Sequence, residues 1–351
     1  MLPFTFLERI YVIINSIGTT IYKYYVFILH KLEIVVRHNN YMKKKKRWPR
    51  NESLYNKIQE NEFLNFFEFV RYLTNYVCKG RKMKNMINCL LIIHKFPNFS
   101  LRRARGFLLL LRKFGVITIN IPCFKTLSNY RENNSLQIVL DKLIEESSKP
   151  LSVIEHDFAT DATGIRTKLF STWYSLRCKK EIKKRDHLTI HITTGVKSNV
   201  VTAINVEIKS GKDNQIFREH VDKTSENFYI NEWSGDGRYW CKENCKKINE
   251  AGAKPYFKVW KNWSGKSRGC MPWKIMNLES RNNSEEYGKH YHKRSNVEST
   301  NMSKKMLHGE KVYSRLQSAR INEETLRWIN HNINVLNRAK YEWNITPKFM
   351  G

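Results

Sequence analysis

The chain has 351 residues, 41% hydrophobic and 13% aromatic, enough for a sizeable core and more than one domain, so global disorder is excluded. Its 62 Lys and Arg against 32 Asp and Glu leave a formal charge of +30, which draws in polyanions and points to nucleic acid as partner. The excess is not one tail, since residues 1–150 carry 26 basic and 10 acidic side chains and the remainder 36 and 22. The bland alternative is a ribosome-associated or merely basic protein. Seven cysteines, at 78, 89, 123, 178, 241, 245 and 270, make no paired framework and suit a reducing cytoplasm. Cys241, Cys245 and Cys270 have no fourth partner at a zinc spacing, and small buried side chains are expected there.

Residues 1–42 are apolar but broken by Glu8, Arg9, Lys23, Lys31 and Glu33. The longest uncharged run, Ile10 to Tyr22, has thirteen residues, short of the roughly 18–20 that cross a bilayer. A helical segment packed on the body or on a second subunit is expected rather than an anchor. KKKKRWPR (43–50) reads as a basic linker. Glu52 to Val77 shows apolar residues at three and four, an amphipathic helix, and a second helix follows at about 83–95. FSLRRARGFLLLLRKFG (99–115) is a helix with Ser100 as cap and Gly115 as stop. Pro122 opens another helical pattern that runs through LQIVLDKLIEES. Helix, connection and a second helix carrying Lys125, Thr126, Ser128, Asn129 and Arg131 make a loose helix-turn-helix layout, and those side chains can reach phosphates or base edges. A plain helical hairpin has the same pattern.

At Lys149-Pro150 the pattern turns from helix to strand. SVIEHDFATDATGI (152–165) alternates, and LFSTWYSL, LTIHITTG and VVTAINVEI are rich in β-formers. A helix around Asn214 to Val221 precedes FYINEWSGDGRYW; CKENCKKINEAG is a helix closed by Gly252, and YFKVW a short strand. The last sixty-odd residues read as helix. The expected class is α/β (α+β): a mixed sheet flanked by helices, preceded by an all-helical region.

In so basic a chain, an acidic side chain on an apolar strand needs a reason. On a regular strand Glu155, Asp157, Ala159 and Asp161 share a face, and Asp161 comes last, beside a turn. Asp236 sits in SGDGRYW, where a capping aspartate would also be ordinary. Glu298 stands in YHKRSNVESTNMSKK with Tyr291, Arg294 and Lys305 at offsets of three, four and seven, within an arc of roughly 60° on a helix. Two aspartates at strand ends and a glutamate on a later helix can gather hard oxygen ligands for magnesium. Two such ions about 3.5–4 Å apart can activate a hydroxyl and stabilise a leaving oxygen, which is phosphodiester chemistry.

The ordered set resembles the DDE transposases of bacterial and archaeal insertion sequences, which have a ribonuclease H-like catalytic core; the resemblance covers roughly residues 99–340. Tyr291, Arg294, Glu298 and Lys305 meet the Y-x2-R-x3-E-x6-K signature of one large subgroup without a gap. Asp161 begins DATG, similar to the family's first aspartate stretch, with Asp157 a rival for that role. GDGRYWCKENCKKINEAGAKPYFKV resembles the second element, D-x-x-Y, through Asp236 and Tyr239, and Asp213 falls where an aspartate follows the strand before it. The upstream LRRARGFLLLLRKFG…IPCFKTLSNY is similar to the helical pre-domain.

The expected organisation is an apolar helical segment at 1–42, which has no counterpart in the family, a helix-turn-helix-like DNA-binding region at 43–149 with Lys125, Asn129 and Arg131, and, by the resemblance, a ribonuclease H-like catalytic domain at 150–345. Asp161, Asp236 and Glu298 are the implied ligands of two Mg2+ or Mn2+ ions; Tyr291, Arg294 and Lys305 would face DNA. His290, His292 and Lys293 would add positive potential. Trp260, Trp263 and Trp273, interleaved with Lys258, Lys261, Lys266 and Arg268, could stack on unpaired bases or simply fill a core. The implied activity is cleavage at the ends of an element and strand transfer into target DNA, by a homodimer, in the cytoplasm on the nucleoid. A nuclease without strand transfer, or a DNA-binding protein derived from a transposase, are the alternatives.

Overall fold

Apolar residues spaced three and four apart do produce helices from the first described residues onward. The computed structural model describes residues 51–96, 99–167, 187–207, 212–260, 266 and 269–350. The apolar segment 1–42, the basic run 43–50, the strand expected at LFSTWYSL, and Cys178, Lys261, Trp263 and Arg268 lie outside the described residues. The chain falls into two units, Met1–Tyr55 and Asn56–Gly351. Of the first, only 51–55 are described, and they begin helix α1 (Glu52–Glu60).

Five more helices follow: α2 (Glu62–Val77), α3 (Arg81–Lys95), α4 (Leu101–Lys113), α5 (Phe124–Arg131) and α6 (Leu136–Ser148). Two expected helices are each interrupted. The pattern from Glu52 breaks at Asn61, whose side chain donates to Lys57 O at 2.9 Å. The pattern after Pro122 starts only at Phe124 and breaks at Glu132–Ser135, where Asn133 Oδ1 accepts from Ser135 N at 3.0 Å. An asparagine that hydrogen-bonds the backbone two residues on competes with helix continuation, a local chemistry that apolar spacing does not report. Ser100 caps α4 as expected, accepting from Arg103 N at 3.4 Å, and Gly115 takes the positive φ of 73° after the helix ends.

After a 3-10 turn at Lys149–Val153 the chain enters a five-stranded mixed sheet. β1 (Asp157–Arg166), β2 (His187–Gly195) and β3 (Val201–Glu207) form an antiparallel meander; β4 (Glu232–Gly235) and β5 (Lys254–Phe257) add parallel strands on the other side of β1, giving the order β3-β2-β1-β4-β5. Helices α7 (Asp213–Ser225) and α8 (Lys242–Glu250) alternate with β4 and β5, and α9 (Met271–Asn282), α10 (Ser284–Tyr291), α11 (Ser295–His308) and α12 (Gln317–Glu342) follow. β1 begins five residues later than the alternation from Ser152 predicts. Glu155 therefore does not share the strand face; it lies buried and accepts the N–H groups of Lys197 and Ser198.

Alternate residues of β1 enter different cores, as a period of two requires. Phe158 packs with Phe217, Trp233, Tyr239 and Phe257 on one face. Ala159 and Ile165 pack on the other with Ile190 and Ile192 and with the helices of residues 62–148 and α12. The helices before the sheet thus share a core with it. α12, 26 residues long, is held by buried asparagines: Asn332 bonds both Val201 N and Val201 O (2.9 and 2.8 Å), and Asn337 accepts from Asn65 at 2.7 Å. Among the described residues no helix is long and apolar enough to cross a membrane.

Gly235 ends β4 where an added Cβ would lie 2.8 Å from Phe257 Cε1 and 3.2 Å from Tyr239 Cδ2. Both rings are buried in a packed core, so Gly235→Ala should lose about 1–3 kcal/mol of stability in urea denaturation, the range for overpacking.

Candidate active site

Parallel pairing of β1 with β4 sets Thr160 opposite Gly235. The next residue in each case is an aspartate, Asp161 still within β1 and Asp236 just past the end of β4, so the two follow neighbouring positions on strands roughly 4.8 Å apart. Asp161 is partly buried, its side chain 20% exposed, and its strand position turns it to the face that carries Ala159 and Thr163. Asp236 leaves the strand (φ −68°, ψ 164°), and its Oδ1 accepts from Gly237 N at 2.7 Å at the head of a 3-10 turn, Gly237–Tyr239. The ordinary capping role is therefore real. Tyr239 is buried beneath this turn, 5.0 Å ring to ring from Phe217, with its hydroxyl 3.5 Å from His191 Nδ1.

Glu298 comes from the first turn of α11, where the helix dipole favours an acid. Its side chain is 54% exposed and accepts from Arg294 Nη2 at 2.7 Å; Arg294 Nη1 lies 4.0 Å from Asp161 Oδ2. The guanidinium thus bridges the strand carboxylate and the helix carboxylate. Burial pushes the Asp161 carboxyl above its usual range, the Ala162 N–H and Arg294 oppose this, and the like charges of Asp236 and Glu298 add to it. Asp161 therefore feels both of the other acids.

The four signature residues do not lie on one α-helix. Tyr291 ends α10, His292–Arg294 tighten into a 3-10 turn, and only Glu298 and Lys305 belong to α11. The path stays right-handed (Tyr291 φ −60°, ψ −39°; Arg294 φ −54°, ψ −32°), so Arg294 still meets Glu298 four residues on. Lys305 reaches down to β1 and donates to Thr163 Oγ1 at 2.9 Å, two residues beyond Asp161 on the same face. Tyr291 packs its partly buried ring against the aromatic core.

Asp157, the rival for the first aspartate, is at the opposite end of β1, about 13 Å away at a strand's rise per residue. Lys293 Nζ lies 2.7 Å from Asp157 Oδ2 and 2.7 Å from Glu232 Oε2, while His290 Nδ1 is 2.7 Å from Glu232 Oε1. Lys293 and His290 hence do not supply free positive potential, as the sequence suggested; they tie the entry ends of β1 and β4 to α10 and the turn after it.

On α5, Lys125 and Asn129 are exposed. Arg131 is not: its guanidinium turns inward, 3.9 Å from the buried Glu323, because it occupies the last turn facing α12. Trp260 is 61% exposed, and its indole nitrogen would lie 3.7 Å from a Cβ added at Gly237, beside the Asp236 turn. Trp273 is core, its ring 4.4 Å from that of Trp240. Cys245 and Cys270 are buried, with Sγ atoms near Met276 Sδ and Lys242 O.

Among the described residues no three His, Cys, Asp or Glu are gathered closely enough to hold a metal ion. Asp161, Asp236 and Glu298 suit a hard divalent cation in donor type, and their mutual repulsion at Asp161 is what such a cation relieves. Glu298 is hydrogen-bonded to Arg294. Three contacts had no signal in the sequence: Thr163 under Lys305, the Lys293 bridge, and buried His191, whose Nε2 is 3.7 Å from Asp213 Oδ1 at the start of α7. All are meetings of residues far apart in the chain.

Burial works to raise the Glu232 carboxyl, but Lys293 and His290 outweigh it and hold it below its usual range. A depressed carboxyl stabilises the fold above its unfolded pKa of about 4.5, and this is lost as pH falls through the folded value. Lys293→Met should cost about 1 kcal/mol at pH 7, discounted for partial exposure, and flatten the loss of stability between pH 5 and 3 in urea titrations. The chain matches no protein-family model, no curated protein and no solved structure.

Proposed function

We propose that this protein is a DDE-type transposase that binds the ends of an insertion sequence and catalyses metal-dependent strand cleavage and strand transfer. The observation that carries the reading is that Asp161 on β1 and Asp236 just past the end of β4 directly follow the paired residues Thr160 and Gly235, with Glu298 joined to Asp161 through one guanidinium. The five-stranded mixed sheet flanked by helices supports a ribonuclease H-like core, and the charge of +30 supports DNA as substrate.

Asp161, Asp236 and Glu298 would hold Mg2+ or Mn2+, two ions, which when bound supply activation of an attacking hydroxyl and stabilisation of a leaving oxygen. The chain's own part is alignment. β1 and β4 fix the two aspartates relative to each other through backbone hydrogen bonds, independent of side-chain rotamers. α11 carries Glu298 as an exposed, adjustable third acid. Arg294 screens Glu298 and Asp161 from each other and is a bidentate donor for a phosphate. Lys305, anchored on Thr163, offers a point charge to the same backbone. Tyr291 would pack against the bound strand. Lys125 and Asn129 on α5 face solvent as readers of the element's ends, and Trp260 beside the Asp236 turn is placed for stacking on an unpaired base. Water and then a 3′-hydroxyl would attack in line, so both steps use one set of acids. Two ends brought together call for a homodimer, acting on the nucleoid.

Glu298→Gln should leave binding to a duplex bearing the inverted repeats that flank the coding sequence intact, while magnesium-dependent cleavage falls about 10²–10³-fold, as when one preorganised charge-stabilising group is lost. Unchanged cleavage by this variant would sink the assignment. Arg294→Ala should weaken duplex binding and lower the slope of log K against log salt by about 1, measured by fluorescence anisotropy at several salt concentrations. Joining of the cut 3′ end to a second duplex distinguishes a transposase from a nuclease.

A further inference from the structure

We propose that a buried chain of five alternating charges, Arg131–Glu323–Arg327–Glu324–Lys304, holds the end-reading helix α5 and the acid-bearing helix α11 in one register, which makes Glu324 and Lys304 positioning residues for Glu298. Arg131, the last residue of α5, stands 3.9 Å from Glu323. Glu323 accepts from Arg327 at 2.7 Å, Arg327 Nη1 is 3.6 Å from Glu324 Oε2, and Glu324 Oε1 is bonded to Lys304 of α11. Side-chain exposure along the chain is 11% at Arg131 and 3% or less at the other four.

The chain reaches α11 directly and the end of β1 through adjoining residues. Lys304 is followed by Lys305, which holds Thr163 on β1, and lies six residues after Glu298. Arg327 Nη1 also donates to Lys311 O at 2.7 Å, in the segment whose neighbours Glu310 and Val312 exchange backbone hydrogen bonds with Arg166 at the end of β1. At the other end, Asn322 donates to Arg131 O and Asn133 O at 2.8 and 3.1 Å, so α12 grips the end of α5 by backbone as well as by charge.

Stability alone is a poor reason for this arrangement. Burying ions costs desolvation that their attraction barely repays, and well-packed apolar residues serve a core as well or better. Arg131 Nε and Glu324 Oε2 are buried without hydrogen-bond partners, so the chain is not even fully satisfied. What alternating charges add is direction. Glu323 and Glu324 each sit between Arg327 and one further cation, and displacing α5 or α11 removes that second cation from a buried carboxylate. Burial lowers the Lys304 ammonium to about 8 and Glu324 works against that loss, so its charge depends on Glu324 staying in place.

The activity arm of the test rests on the transposase reading; the exchange arm does not. In the full-length protein, hydrogen exchange is followed by mass spectrometry in Arg131→Met, Lys304→Met, the double variant and Lys304→Arg. Arg131→Met should speed exchange over residues 298–305 about tenfold, although its side chain sits on α5 and not on α11. The double variant should be no faster there than Lys304→Met alone, and Lys304→Arg should restore the wild-type rate. With the flanking-repeat duplex, Arg131→Met should lower kcat for magnesium-dependent cleavage with KM unchanged. Faster exchange confined to α5, or effects of the two substitutions that multiply, overturns the proposal. Should Lys304→Met fail to fold, Arg131→Met and Lys304→Arg decide it by the same criteria. Wild type that does not cut defeats the transposase reading and leaves the exchange result to judge the chain.

Discussion

The parallel pairing of β1 with β4 is the constraint on which the candidate site depends. It is set by backbone hydrogen bonds, with Thr160 opposite Gly235, and it makes Asp161 and Asp236 neighbours although 75 residues separate them. A one-residue slip would turn one aspartate into the core. A polar run beneath the strands guards the register: Trp233 Nε1 donates to Thr160 Oγ1 at 3.0 Å, Thr160 meets Thr193 at 2.7 Å, and Thr193 meets His220 Nδ1 at 3.0 Å. Burial drives His220 down to about 3, so it stays neutral and serves as a hydrogen-bonding partner only. Gly235 completes the device by letting Phe257 and Tyr239 close against the strand end.

The basic character of the chain hides a division of labour among its cations. Lys293, Arg327, Arg131 and Lys304 face acids inside the fold and act as internal braces. Arg294 stands between these roles, since it is partly buried and already joined to Glu298, with Asp161 beyond it. That placement sets one positive charge between two like charges.

The site was legible in part. The spacing of Tyr291, Arg294, Glu298 and Lys305 states an approximate helical face, and the Arg294–Glu298 contact follows from it. The same spacing says nothing of the 3-10 turn at His292–Arg294, because right-handed helical paths of either kind have nearly the same periodicity over three residues. In the sequence the Thr-Gly that follows favours Asp161 over Asp157; in the structure Asp157 is held by Lys293 at the far end of the strand, a contact the sequence did not signal. Arg131 shows the opposite case. Its neighbours Lys125 and Asn129 are exposed, and only the packing of α12 against the end of α5 turns Arg131 inward.

The amino-acid sequence by itself determined where helices and strands form and which face of each is apolar, since those follow from side-chain spacing and local capping. It also determined the supply of acids in a basic chain. Tertiary structure alone decided which of those acids meet, because strand register and helix packing join residues 60 to 140 positions apart and leave no periodic trace. It decided as well which cations face solvent and which brace the interior, a matter of desolvation and partner geometry that arises only once the chain has closed on itself.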